Sequence, residues 1–85
     1  MAGYSIVFKK IVWKDFKKIP KRDTERILAA IRTLAQNPRP PQAKKLSGQE
    51  RYRLRQGNYR ILYEIKDEKL VICVVKVGHR RDVYR

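Results

Sequence analysis

The chain has 85 residues, 22 of them Lys or Arg against 8 Asp or Glu, for a formal net charge of +14. This length fits a single domain over residues 1–85, and a hydrophobic content of 42% suits a thin globular core and excludes a disordered tail. One Cys and one His exclude a disulfide scaffold and a zinc site of the usual ligand count, and no apolar run approaches the ~20 residues of a membrane helix. A charge this large does not serve the fold's own stability, since self-repulsion costs it some. It points outward to a polyanion: nucleic acid, an anionic membrane or an acidic protein. The N-terminus shows no signal-peptide pattern, so the expectation is a soluble, cytoplasmic domain with no membrane partner.

Tyr4 to Phe8 predicts a strand with Tyr4, Ile6 and Phe8 on one face. From Lys9 the period changes. Val12, Phe16 and Ile19 recur at helical spacing with Trp13 alongside, and the pattern ends at Pro20. A second helix carries the stripe Ile27, Ile31 and Leu34, widened by Leu28, Ala30 and Ala35. Asp23 and Glu25 suit its first turn, and Asn37-Pro38 stops it. Arg39 to Gln49, rich in Pro, reads as a loop. Three strands follow: Arg51 to Gln56, Asn58 to Ile65 and Leu70 to Val77. A tight turn at Gln56-Gly57-Asn58 joins the first two, and Lys66 to Lys69 turns between the last two. The last strand is apolar enough to be covered on both faces. A basic tail runs from Gly78 to Arg85. The expected fold is α+β, in the order β-α-α-β-β-β. A helical hairpin packs on one face of a small, mainly antiparallel sheet, and the other face is open.

Charge position narrows the function. Lys9 to Arg22 holds seven cations and one acid, Asp15, and reads as a solvated helix face or as a second site for RNA phosphates. Arg51, Arg53 and Arg55 alternate with Tyr52, Leu54 and Gln56, so three guanidinium groups leave one strand face ~6.6 Å apart. The next strand offers only Glu64 to balance them and adds Arg60. Such a row suits phosphate, because a guanidinium presents a planar fork to its oxygens. The tail adds His79, Arg80, Arg81, Tyr84 and Arg85. There an aromatic ring could stack on a base while arginines hold the backbone. Tyr59, Ile61, Tyr63 and Ile65 are expected in the core, with Trp13, Phe16 and a buried Cys73. Arg60 and Arg80 are expected outside it.

The element order carries three further segments with it: Lys44-Lys45-Leu46-Ser47-Gly48, Tyr52 to Tyr63, and Val77-Gly78-His79-Arg80-Arg81-Asp82-Val83-Tyr84. Together they resemble the RelE/ParE toxin superfamily, and its RelE branch most. The resemblance spans nearly the whole chain. It implies a type II toxin–antitoxin toxin that enters the ribosomal A site and cuts mRNA there, with no metal or other cofactor, neutralised by a RelB-type antitoxin. In that chemistry a ribose 2′-hydroxyl attacks the adjacent phosphate and expels the 5′-oxygen.

By motif, the resemblance assigns catalysis to Arg51, Arg53, Arg60, Arg80 and Tyr84, with His79 as an auxiliary acid or base. Lys44, Lys45, Arg55 and Arg81 are then RNA-binding. The best-known RelE pattern has lysines where this chain has Arg51 and Arg53. An arginine practically cannot give up its proton, so the base then comes from ribosomal RNA, water or His79. Two other readings stand beside this one: a ParE-like gyrase poison, and a non-catalytic basic module that binds RNA or ribosomes by charge.

Overall fold

The most apolar strand takes an interior place in the sheet, and the rest of the chain arranges itself around it. The computed structural model describes residues 3–46 and 50–83. Its elements are β1 (Ser5–Phe8), α1 (Lys10–Lys17), α2 (Lys21–Thr33), β2 (Ala43–Lys45), β3 (Arg51–Gln56), β4 (Tyr59–Lys66) and β5 (Val71–His79). They form one five-stranded sheet in the order β1-β5-β4-β3-β2. β1 runs parallel to β5, and the other neighbours are antiparallel.

Both helices cover one sheet face. Val12 of α1, Ile27, Ile31 and Leu34 of the α2 segment, and Leu54, Ile61, Tyr63, Ile72, Val74 and Val77 of the sheet make the main core. Tyr4, Ile6, Phe8, Phe16, Tyr59 and Ile65 pack against it, as their periodicity predicts. Tyr63 is fully buried, and its hydroxyl donates to the Pro38 carbonyl at 2.6 Å. Burial pushes that hydroxyl above the usual tyrosine range, so it stays a neutral donor.

Five expectations are corrected. The Arg39–Gln49 segment is not all loop: Ala43–Lys45 pairs with β3 as an edge strand. Three residues are too few for a periodic signal, and only the β3 edge makes them a strand. Trp13 is 51% exposed, because it sits a quarter-turn from the Val12–Phe16 stripe. The second sheet face is not fully open. Val83 folds back after β5 onto Leu62 and Val75, with Leu46 and Cys73 alongside, so Cys73 is only partly buried. Gly78 and His79 belong to β5 rather than to the tail.

A β-bulge interrupts the β4–β5 ladder, where Leu62 pairs with Lys76 but Tyr63 pairs with Val74. Asp15 of α1 sits beside it. Its Oδ2 accepts from the Val77 N–H at 3.1 Å and its Oδ1 from Lys76 Nζ at 3.2 Å. Asp15 is 7% exposed, so removing its carboxylate strands a buried N–H and leaves Lys76 without this partner. Asp15→Ala is expected to cost about 1–3 kcal/mol in urea unfolding, while exposed Asp82→Ala stays within ~0.5 kcal/mol. Equal midpoints for the two variants would show that Asp15 does not hold α1 to the sheet.

Candidate nucleic-acid interface

Side chains directly opposite each other on antiparallel strands leave the same sheet face. Arg51 lies opposite Glu64, Arg53 opposite Leu62 and Arg55 opposite Arg60, while Lys44 of β2 lies opposite Arg53. Lys44, Arg51, Arg53, Arg55 and Arg60 therefore share the face away from the helices. A groove of about 250 Å³ on it is lined by Pro41, Gln42, Lys44, Arg53 and Arg55. Among the described residues it has three cations and no acid. Two larger concavities, of about 400 and 430 Å³, share Tyr59 and His79 but include Asp15 and Asp82, or Asp23. Carboxylates repel phosphate, so the smaller groove is the better anion site.

These five cations are not equivalent. Arg51 Nε bonds Glu64 Oε2 at 3.1 Å, and Lys66 lies 3.5 Å from the other carboxylate oxygen. Burial raises the Glu64 carboxyl, but the Arg51 hydrogen bond and the two cations outweigh it and hold it below the usual carboxylate range. Arg51 is thus partly neutralised in place. Arg60 is a correction to the expectation that it stays out of the core: it is 9% exposed. Its Nη1 donates to the Gly57 carbonyl at 3.0 Å and the Tyr59 carbonyl at 2.9 Å, so it also braces the β3–β4 turn. Gly57 takes φ +57°, a conformation that favours glycine there.

The tail reaches this end of the sheet through a compact turn. The Arg80 N–H donates to the Asn58 carbonyl at 2.8 Å, which sets Arg80 beside the β3–β4 turn. The Arg81 N–H donates to His79 Nδ1 at 3.2 Å, and the Asp82 and Val83 N–H groups both reach the His79 carbonyl. A methyl on Gly78 would lie 3.2 Å from Val83 Cγ2, so the tail packs close on a residue without a side chain. Arg80 and Arg81 are exposed. Tyr84, and Ser47-Gly48 of the motif after Lys45, lie outside the described residues.

His79 stands apart from the arginines. It pairs with Tyr59, whose ring it meets edge-on at 5.9 Å and whose hydroxyl bonds Asp23 of α2. That is the helix side of the sheet, whereas the sequence groups His79 with the cationic tail. Lys45 likewise lies opposite Tyr52, on the other face from Lys44, with Glu50 3.9 Å away.

Two contributors escape a reading by charge alone. Pro41 and Gln42 shape one groove wall, yet neither carries a periodic signal. Arg39 fixes the segment that leads there. It bonds Asp67 at 2.9 Å and the Tyr52 hydroxyl at 3.0 Å, with its guanidinium 5.5 Å over the Tyr52 ring. Tyr4 completes this cluster with a 2.8 Å bond to Asp67.

Comparison with known proteins gives one consistent result. The family model for the ParE toxin of type II toxin–antitoxin systems, parDE, matches residues 6–84. Toxin RelG of Mycobacterium tuberculosis is 33% identical over 96% of this chain and 97% of its own length. The mRNA interferase toxin RelE of Escherichia coli is 30% identical over 92% of this chain and 84% of its own length. The archaeal RelE–RelB complex from Pyrococcus horikoshii contains a chain with TM-score 0.82 at 29% identity, covering 98% of this chain and 100% of that one.

The Arg51–Glu64 pair makes a pH prediction. Glu64 has a lowered folded pKa, so its contribution is present above the unfolded carboxylate range, near ~4.3, and is lost as pH falls through the folded value. Glu64→Gln should therefore be less stable than the parent at neutral pH, with the gap closing below about pH 4. Urea unfolding at several pH values measures this, and a pH-independent gap would sink it.

Proposed function

From the premise that this chain belongs to the RelE/ParE superfamily of type II toxin–antitoxin toxins, and is a RelE-like one, we propose that it is a ribosome-dependent endoribonuclease cutting mRNA in the ribosomal A site. The observation that carries this reading is the acid-free groove of Lys44, Arg53 and Arg55, with Arg60 on the same face. Escherichia coli RelE, named an mRNA interferase, supports it.

In this reading the 2′-hydroxyl oxygen bonds to the adjacent phosphorus and the bond to the 5′-oxygen breaks. One fragment leaves with a 2′,3′-cyclic phosphate and the other with a 5′-hydroxyl. Negative charge builds on the phosphate oxygens between those events, and Arg53, Arg60 and Arg80 stabilise it. Arg51, tied to Glu64, contributes a weaker field. Arg55, Lys44 and Arg81 hold the RNA backbone, Lys45 on the opposite sheet face takes no part in that contact, and Tyr84 stacks on or orients a base. His79 organises the Arg80–Val83 turn through its Nδ1 and carbonyl, and any acid–base part is auxiliary. A guanidinium is already protonated and cannot accept a proton, so ribosomal RNA or water takes the 2′-hydroxyl proton and a ribosomal RNA group or water delivers one to the leaving 5′-oxygen. The ribosome also orients the codon, so free RNA is cut poorly.

The partner in this reading is a RelB-type antitoxin. The Pyrococcus horikoshii neighbour is a RelE–RelB complex, and acidic antitoxin residues would speed encounter with a +14 chain. The toxin acts in the cytoplasm. A second reading, gyrase poisoning, is favoured by the ParE description of the matching family.

Single-turnover cleavage on programmed ribosomes, with mRNA ends mapped by primer extension, tests the proposal. A gyrase supercoiling assay runs beside it. Arg53→Ala and Arg80→Ala should each lose about 10²–10³-fold in rate and stay folded. Arg60→Ala should lose rate and also melt earlier, because it empties two turn hydrogen bonds. Inhibited supercoiling with intact mRNA would replace the nuclease reading with the gyrase one. For Tyr84, stacking predicts that Phe keeps most activity while Ala loses ~1–3 kcal/mol of transition-state stabilisation. Equal losses would make the hydroxyl the working group.

A further inference from the structure

Helix α1 carries a feature that the groove chemistry leaves unused. Trp13 is 51% exposed, yet its ring is held in place. Phe8 lies 5.0 Å from it and Phe16 5.8 Å, centroid to centroid. Its helix-surface neighbours three and four residues away are Lys9, Lys10, Phe16 and Lys17. Those three lysines are exposed. The one acid between Lys9 and Arg22, Asp15, turns inward to Val77 and Lys76 and does not neutralise them. The result is a rigid aromatic plate inside an unbalanced cationic field, on the helix side of the molecule and away from the groove.

We propose that Trp13 with Lys9, Lys10 and Lys17 is a second, sequence-tolerant binding site for single-stranded RNA. A base stacks on the exposed indole, and the lysines meet the flanking phosphates. A preset ring loses little freedom on binding. A protein partner fits less well. An amphipathic helix needs an apolar stripe, and the other exposed apolar residues do not extend this one. Ile11 projects from the opposite flank of α1, and Val7 alternates to the other face of β1. A second copy of a +14 chain is repelled. The site stands without the nuclease reading, since it requires RNA binding and no cleavage.

Trp13 is the only tryptophan, so its emission reports on this site alone. The 85-residue chain is titrated with an adenosine decamer at low salt. Saturable quenching is expected, with little quenching by an RNA duplex of equal length, whose bases are already stacked. In anisotropy titrations Trp13→Leu should weaken decamer binding about tenfold and Trp13→Phe less. Lys10→Gln with Lys17→Gln should reduce the salt slope by about 1.4, the share of two phosphates, and keeps the question answerable if Trp13→Leu does not fold. Decamer binding with unchanged emission and unchanged affinity in these variants would overturn the proposal. So would quenching by an acidic peptide with none by the decamer, which would mark a protein contact. Cleavage on programmed ribosomes is read separately, so loss of the nuclease reading leaves this result intact.

Discussion

The carboxylate of Asp15 ties the two halves of this fold together. It is a buried anion in a chain with 8 acids and 22 cations, and it binds a backbone N–H and a lysine beside the β4–β5 bulge. α1 is short and cannot hold itself in water. Its Val12–Phe16 stripe gives it affinity for the sheet, but apolar packing alone allows sliding. A charge-assisted bond to one backbone position on β5 fixes its place. The same strand ends at His79, from which the tail turn starts. The helix side and the cationic side thus meet on one strand.

Scarcity of acids organises much of what remains. Asp67 joins Arg39 and Tyr4, and so pins the segment after α2 against the β4–β5 turn and the start of β1. Asp23 takes the Tyr59 hydroxyl and Glu64 takes Arg51. Acids spent in these places cannot screen the groove, whose lining includes none. Like charges on one strand face repel, and the fold tolerates the row because the opposite face of the same strands is packed against helices. A phosphate relieves that repulsion on binding.

Under the proposed mechanism, structure and chemistry overlap at Arg60. Its guanidinium braces the turn that also positions Arg80 through Asn58. A rigid donor loses less on binding a charge that develops late in a reaction than a mobile one does. The same bracing means that a loss of activity at Arg60 mixes chemistry with folding, whereas Arg80, exposed on its turn, separates them.

Periodicity and charge spacing made most of this protein legible. Alternation predicts β3 and β4 and the shared face of Arg51, Arg53 and Arg55, because strand side chains alternate regardless of context. The stripes of α1 and α2 and the Pro stops are equally local. Tertiary structure alone decided the rest. The strand Ala43–Lys45 exists because β3 offers an edge. Val83 lies buried because Gly78 leaves room. His79 faces the helices because the bulge and the Tyr59 register set its parity. Each of these depends on a residue far away in the chain. Local sequence fixes which way a side chain alternates, while only the packed sheet fixes what it meets.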